Sequence, residues 1–78
     1  MDIYVSTTCP MCAPVKREYA SLGSPSGARL RVIDTEPGAM RDLRGLGATG
    51  VPASVIDGKL TMGATPIIAE LRRRFPRR

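Results

Sequence analysis

The sequence predicts one small α/β domain over residues 1–78, with the element order βαβαββα. A chain of 78 residues has room for a single hydrophobic core. Its apolar residues form short strand-like runs that alternate with helix-like periodicities. The dipeptide Asp57-Gly58, between two such runs, is the strongest hairpin signal in the chain. We therefore expect a four-stranded mixed sheet with helices on both faces.

A strand and a helix begin the chain. The apolar run Ile3-Tyr4-Val5 predicts a short strand that is buried on both faces, as in a parallel sheet. The next helix should begin near Cys9, because Pro10 suits a first helical position. Pro14 removes an early amide, so we expect either an irregular first turn or a regular helix that begins only near Ala13. The apolar stripe of this helix consists of Cys12, Val15, Tyr19 and Leu22.

A second strand follows a predicted loop over residues 23–27. Arg29 and Arg31 alternate with its apolar residues, so one side of the strand should be wet, as at the edge of a sheet. A strand, helix and strand of this length form a βαβ unit with parallel strands and a right-handed crossover. The apolar residues of the second strand are Leu30, Val32 and Ile33.

The second helix is short. The segment Asp34-Thr35-Glu36-Pro37 combines capping side chains, early acidic charge and an early proline, which together indicate a helix start. We expect the helix to end at Gly47 or Gly50. Its apolar stripe consists of Met40, Leu43 and Leu46.

A hairpin and a third helix complete the predicted fold. The hairpin strands are residues 53–56 and residues 59–62. Thr65 and Pro66 are predicted to supply the cap and the first-turn proline of the last helix, which should stop at Pro76. Its core-facing residues are Ile67, Ile68, Leu71 and Phe75.

The net charge of +5 comes from 12 basic and 7 acidic residues. Much of it is at the C-terminal end, at Arg72, Arg73, Arg74, Arg77 and Arg78. Such a tail has the charge to contact nucleic acid or an acidic partner, but no aromatic platform accompanies it. We therefore expect a solvated helix end whose cations complement the helix dipole, and no nucleic-acid binding.

No apolar run is long enough to span a membrane, and no secretory signal is visible. These observations predict a cytoplasmic protein without a membrane partner, which we expect to be a monomer. In that compartment two closely spaced cysteines indicate catalysis or metal binding more often than a structural disulfide.

The segment Cys9-Pro10-Met11-Cys12 holds the two cysteines of the chain. A C-x-x-C between a strand and a helix is typical of a dithiol redox centre. Cys9 should lie at the helix mouth, where free amides and the helix dipole lower the thiol pKa, whereas Cys12 lies on the buried stripe. We therefore predict that Cys9 is the nucleophile and that Cys12 resolves the mixed disulfide. Lys16 and Arg17 are close enough to add positive potential, although an ordinary exposed helix face is the favoured interpretation.

Metal binding is the rival interpretation of the same two thiols. Two cysteines make half of a tetrahedral zinc site, and the chain has no histidine and no third cysteine. A copper carrier would use two thiolates, with Met11 as a soft ligand type, and a dimer would share an iron–sulfur cluster between subunits. An inert disulfide is the third interpretation, although it would close too short a loop to constrain the unfolded chain much. Redox chemistry is favoured over both.

The element order, the Cys-Pro-Met-Cys segment after the first strand and Gly50-Val51-Pro52 before the third together resemble the thioredoxin fold in its minimal, glutaredoxin-like form. The resemblance covers nearly the whole chain. It implies that the bond between Val51 and Pro52 is cis, that Pro52 packs beside the dithiol, and that the Val51 backbone is offered to a substrate. The predicted substrate-binding residues are therefore Pro10, Met11, Val51, Pro52 and Thr65. The resemblance supplies Val51 and Pro52; Met11 is expected to contact partners, and Thr65, first a helix cap, has the secondary interpretation of contacting a substrate carboxylate at the amides of the last helix.

The resemblance also implies an enzyme, a dithiol–disulfide oxidoreductase of electron transport and cell redox homeostasis. It would reduce protein or small-molecule disulfides through the Cys9–Cys12 dithiol, which becomes a redox-active disulfide in the reaction. The implied partners are a disulfide substrate protein or glutathione and a reductase, with no bound cofactor or metal. Ser6 stands where glutaredoxins usually carry a lysine, and Gly63-Ala64-Thr65-Pro66 is more similar to redoxins that draw electrons from thioredoxin reductase. The electron donor is therefore expected to be glutathione or a thioredoxin reductase.

Overall fold

The computed structural model describes residues 1–23, 25–48 and 50–75. The predicted helix stop at Pro76, the terminal residues Arg77 and Arg78, and Ser24 of the predicted loop lie outside the described residues. The predicted α/β class and element order are confirmed. In chain order the elements are β1 (Asp2–Val5), α1 (Cys12–Ser21), β2 (Arg29–Val32), α2 (Ala39–Gly45), β3 (Ala53–Ile56), β4 (Lys59–Met62) and α3 (Ala64–Arg74).

The four strands form one mixed sheet in the order β2-β1-β3-β4. β1 pairs in parallel with β2 and antiparallel with β3, and β3 pairs antiparallel with β4. β1 therefore has a neighbour on each side, and its run Ile3-Tyr4-Val5 is almost fully buried because elements also pack against both faces of the sheet. The edge position predicted for β2 is confirmed.

Helices cover both faces of the sheet, as predicted. Because side chains alternate along a strand, Ile3 and Val5 face one side of the sheet and Tyr4 faces the other. The first side packs against α1 and α3, and its buried residues are Ile3, Val5, Cys12, Val15, Ala28, Ala64, Ile67 and Leu71. The second side packs against α2, and its buried residues are Tyr4, Ala39, Leu43 and Ala53.

The regular part of α1 begins at Cys12, close to the later of the two predicted starts. A turn precedes it, in which the amide of Cys12 donates to the carbonyl of Cys9 at 3.1 Å and the amide of Ala13 donates to the carbonyl of Pro10 at 3.3 Å. This turn places Cys9 in front of the helix rather than inside it.

The other two helices begin differently from the prediction. α2 begins at Ala39, because Gly38 adopts a left-handed φ of 84° and separates the helix from the preceding turn. α3 begins at Ala64 after Gly63, whose φ is 96°. The prediction that Thr65 caps α3 is wrong: Thr65 lies within the first turn of the helix, and no side chain caps this terminus. Gly63 lets the chain enter the helix two residues earlier than a cap at Thr65 would.

The prediction of a wet side on β2 is wrong for Arg31, which is only 8% exposed. Its guanidinium donates to Glu36 at 2.6 Å and to the hydroxyl of Tyr4 at 2.9 Å, and pairs with Asp42 at 2.9 Å. It also lies over the Tyr4 ring, 5.1 Å from the ring centroid. Arg31 therefore connects the edge strand to the turn before α2 and to α2 itself.

The hairpin is confirmed, with Asp57 and Gly58 in left-handed conformations at φ values of 51° and 79°. At the other end of the chain, the described arginines of α3 form ion pairs on the surface: Arg72 with Glu18 of α1, and both Arg73 and Arg74 with Glu70. No helix within the described ranges is long and apolar enough to cross a membrane.

Candidate functional site

A hydrogen-bonded loop leads from β1 to the first cysteine. β1 and β2 are parallel, so Asp34, which follows β2, lies beside the residues that follow β1. The Asp34 carboxylate accepts hydrogen bonds from the amide of Thr7 at 2.8 Å, from the hydroxyl of Ser6 at 2.9 Å and from the hydroxyl of Thr7. These bonds, with that of the Thr7 hydroxyl foremost, hold the pKa of Asp34 below its ordinary value. They hold the loop that presents Cys9 in one conformation.

Cys9 lies at the end of this loop with part of its surface exposed. Its thiol faces the carbonyl oxygen of Val51, with 3.7 Å between sulfur and oxygen. The pKa of Cys9 is lowered, first by a hydrogen bond from the Cys12 thiol and then by the backbone amides of Cys12 and Met11. Each of these donors stabilises the thiolate form, which is the nucleophile.

Cys12 differs from Cys9 in burial and in acidity. It is the first residue of α1, its side chain is fully buried, and it packs in the core between the sheet and the helices. Burial raises the pKa of the Cys12 thiol to about 11, with a further contribution from its hydrogen bond to Cys9. At neutral pH Cys12 therefore keeps its proton and donates it toward Cys9. Both thiols are free in this structure.

The segment that the sequence analysis singled out before β3 lies next to Cys9. The bond between Val51 and Pro52 is cis, as the resemblance implied, and Pro52 is buried. Val51 is half-buried and contacts both core clusters. The amide of Gly63 donates to the carbonyl of Pro52 at 3.1 Å, which connects this segment to the start of α3.

The remaining predicted substrate residues are all exposed, but they are not equally close to the thiols. Pro10 and Met11 lie between the two cysteines. Met11 is 60% exposed, more than any other large apolar side chain among the described residues. Thr65 is exposed on the first turn of α3. No hydrogen bond among the described residues joins Thr65 to either cysteine, so its predicted role remains a prediction.

Lys16 is a site residue that the sequence analysis treated as part of an exposed helix face. It is half-buried, and its Nζ donates to the carbonyl of Ser6 at 2.9 Å. Its positive charge also contributes to lowering the pKa of Cys9. Its position four residues after Cys12, one helical turn further along α1, is the signal that raised the possibility of such a contribution, and the favoured interpretation as an exposed helix face is wrong for Lys16. Arg17 is exposed, as expected.

A metal site at the two thiols would be incomplete within this part of the molecule. No group of three or more His, Cys, Asp or Glu side chains in residues 1–23, 25–48 and 50–75 lies close enough together to hold a metal ion. A metal bound by Cys9 and Cys12 would therefore find no third His, Cys, Asp or Glu ligand among the described residues.

The chain matches no protein-family model, and a search of curated proteins finds no match either. Its function is therefore inferred from the chemistry of the two thiols and their surroundings.

Proposed function

We propose that this protein is a thiol–disulfide oxidoreductase with a thioredoxin-like fold, in which Cys9 is the nucleophile and Cys12 the resolving thiol. The observation that carries this proposal is the inequality of the two thiols. Cys9 is partly exposed and has a lowered pKa, whereas Cys12 is buried and its pKa is raised to about 11. A structural disulfide requires no such difference, but attack by one thiol followed by the other does.

The topology is consistent with this proposal. A parallel β1–α1–β2 unit is joined to an antiparallel β3–β4 hairpin, with the cis proline Pro52 immediately before β3. Its neighbour Val51 offers a carbonyl oxygen beside the Cys9 sulfur. An extended substrate segment that lies along this edge would have its own backbone next to Val51 and its disulfide next to Cys9.

The first step is attack by the Cys9 thiolate on one sulfur of a substrate disulfide. The substrate S–S bond breaks, a new S–S bond forms between Cys9 and the substrate, and the second substrate sulfur leaves as a thiolate that takes up a proton. The Cys12 thiol and the amides of Met11 and Cys12 stabilise the attacking thiolate before this step.

The second step requires Cys12 to lose its proton. Once the Cys9 sulfur is bound in the mixed disulfide it carries no negative charge, which removes one of the causes that raise the pKa of Cys12. The Cys12 thiolate then attacks the Cys9 sulfur, and the first substrate sulfur leaves as a thiolate and is protonated. In total, two electrons and two protons pass from the protein dithiol to the substrate, and the protein is left with a Cys9–Cys12 disulfide.

A dithiol or two thiols from outside the protein must reverse this oxidation. We propose glutathione or a thioredoxin reductase as that source, with the cytoplasm as the compartment. Turnover of the oxidised protein should be compared with glutathione, glutathione reductase and NADPH on one side and with thioredoxin reductase and NADPH on the other. The donor that sustains the faster NADPH oxidation identifies the class of reductant that this disulfide accepts.

The proposal is tested with bis(2-hydroxyethyl) disulfide, a small neutral substrate, and with variants of each cysteine. Cys9→Ser should abolish reduction, because the nucleophile is lost. Cys12→Ser should accumulate a covalent Cys9 adduct, seen as a mass increase that dithiothreitol removes. Reduction that persists in Cys9→Ser would refute the assignment. Stoichiometric metal on the protein purified under reducing conditions, lost together with Cys9 or Cys12, would favour the metal-binding interpretation instead.

A further inference from the structure

A polar cavity lies between α3 and the β3–β4 hairpin, at the end of the sheet opposite the dithiol. Its volume is about 290 Å³. Cys9 follows the C-terminal end of β1, and β3 runs antiparallel to β1, so the hairpin turn lies at the far end of the sheet from the thiols. The mechanism proposed above therefore gives this cavity no role. Its polar lining residues are Asp57, Lys59, Thr61, Glu70, Arg73 and Arg74.

The hairpin contributes Lys59 and Thr61 to the cavity from one face of the sheet. Thr61 pairs with Ser54, and Ser54 pairs with Ile3 of β1. Because cross-strand partners point to the same face, Thr61 lies on the face that packs against α1 and α3, as does Lys59 two residues earlier. The Lys59 ammonium forms no ion pair with any described residue, and the Thr61 hydroxyl forms no hydrogen bond with one. Both groups are therefore available to a ligand.

The α3 side of the cavity carries two arginines that a single carboxylate holds. Arg73 donates to Glu70 at 2.6 Å, and Arg74 donates to the same carboxylate oxygen at 3.2 Å. Each bond uses one of the five N–H donors of its guanidinium, which leaves donors on both arginines. Arg72 does not share this arrangement, because it pairs with Glu18 of α1. Glu70 therefore brings two guanidiniums together before any ligand binds, which lowers the ordering cost of binding.

The cavity combines a positive charge with one available carboxylate. Three cations line it, and Glu70 is already paired with two of them. The second acidic residue, Asp57, is exposed at the hairpin turn and forms no ion pair with any described residue. The cations suit an anionic group, and the Asp57 carboxylate suits hydroxyl groups, which donate hydrogen bonds to it.

We infer that this cavity binds a small phosphate monoester that carries hydroxyl groups, such as a sugar phosphate. Arg73, Arg74 and Lys59 contact the phosphate oxygens. The Thr61 hydroxyl donates to the same oxygens, and Asp57 accepts hydrogen bonds from the hydroxyls of the ligand. The volume is close to the lower limit of the roughly 300–1,000 Å³ typical of small-molecule sites, which suits a ligand of this size.

The same features disfavour a nucleic-acid strand. The described cations of the hairpin and of α3 converge on one cavity, and no aromatic side chain among the described residues lines it to stack on a base. The inference goes beyond the oxidoreductase function proposed above and is independent of it, because the dithiol lies at the other end of the sheet.

The test titrates the ¹⁵N-labelled, reduced full chain with ribose 5-phosphate, inorganic phosphate or ribose at constant ionic strength, and follows the backbone amide signals by NMR. Ribose 5-phosphate should shift the amides of the hairpin and of the C-terminal half of α3, and leave those of the β1–α1 loop unchanged. It should bind about threefold or more tightly than inorganic phosphate, because its hydroxyls add hydrogen bonds. Ribose should bind at least about tenfold more weakly than ribose 5-phosphate, because it lacks the phosphate.

Variants of exposed residues assign the contacts. Arg73→Gln and Lys59→Gln should each weaken the binding of ribose 5-phosphate about tenfold, because each removes a charge-assisted hydrogen bond. Asp57→Asn should reduce the preference for ribose 5-phosphate over inorganic phosphate, and asparagine tolerates the left-handed conformation at this position. Arg41→Gln is the matched control, because Arg41 is an exposed cation on α2, on the other face of the sheet, and it should leave the affinity unchanged.

Four results would overturn the inference. Equal affinities for ribose 5-phosphate and ribose would show that the phosphate is not recognised, and equal affinities for ribose 5-phosphate and inorganic phosphate would show the same for the hydroxyls. A loss of affinity in Arg41→Gln as large as that in Arg73→Gln would show an effect of net charge. A single-stranded RNA oligonucleotide that displaces ribose 5-phosphate and binds more tightly would assign the cavity to nucleic acid. The titration requires no disulfide reduction, so failure of the proposed function would leave its result in place.

Discussion

The unequal thiols predict how each cysteine reacts with an alkylating reagent. Cys12 is fully buried, and burial raises its pKa from the ordinary thiol value of 9.0 to about 11. Only the thiolate reacts, and a shift of about two pKa units makes the thiolate fraction at neutral pH about 100-fold smaller than in an ordinary cysteine. Cys9 has a lowered pKa and is partly exposed. Reduced protein should therefore be alkylated at Cys9 at least about 100-fold faster than at Cys12.

The assay treats the reduced, folded protein with a limiting amount of iodoacetamide at neutral pH and stops the reaction with acid at a series of times. Both cysteines lie on the tryptic peptide of residues 1–16, and fragment-ion spectra distinguish the two labelled positions. The control is the same reaction in denaturant, where burial is removed and the two rates should become similar. Labelling of Cys12 as fast as Cys9, in protein that retains its folded circular dichroism spectrum, would refute the assignment of roles.

Four further predictions concern stability and acidity. The pKa of Cys12 is higher in the fold than in the unfolded chain, so between pH 9.0 and about 11 the unfolded chain loses this proton first and gains stability relative to the fold. The urea midpoint of the reduced protein should therefore fall as the pH rises from 9.0 toward 11, and this fall should be absent at lower pH. Ser54→Ala should raise the unfolding free energy by about 1 kcal/mol, since the buried Ser54 hydroxyl has no partner among the described residues; a lower urea midpoint would contradict this. Arg31→Ala should lower the unfolding free energy, measured in urea, by about 1.5–3 kcal/mol, because the substitution removes charged hydrogen bonds to two acidic side chains. An unchanged urea midpoint would show that water replaces these bonds. Lys16→Met should raise the pKa of Cys9, whereas Lys16→Arg should keep that pKa low, because only the second variant keeps the positive charge. The pKa is measured from thiolate absorbance in protein that also carries Cys12→Ser. Equal pKa values in the two Lys16 variants would exclude a charge effect.

The parts of the fold that depend on neighbours along the chain were predictable. The hairpin follows from Asp57-Gly58, because these two residues accept the left-handed conformations that a two-residue turn requires. The burial of Cys12 follows from its place on a stripe of helical period, and the exposure of Cys9 from its place before the helix. The order of the strands and helices follows from the same periodicities.

The errors at Arg31 and Thr65 have different physical origins, one in packing between elements and the other in the local backbone. Arg31 alternates with apolar residues as a solvent-facing residue would, yet Glu36 and Asp42 cover it, since the turn before α2 and α2 itself fold back over the edge strand. Thr65 and Pro66 form a good local helix start, but Gly63 begins the turn into α3 earlier. Propensity ranks local alternatives, and packing decides among those of similar energy.

The sequence by itself determined the α/β class, the C-x-x-C between a strand and a helix, and the inequality of its two thiols, because each depends on spacing within one segment. Tertiary structure fixed the contacts that surround those thiols: the Val51 carbonyl at Cys9, the Asp34 carboxylate that holds the loop, the Lys16 amine on the Ser6 carbonyl and a groove along α2. These groups come from separate elements of the chain. They become neighbours only when the parallel pairing of β1 with β2 and the packing of helices on both faces bring those elements together.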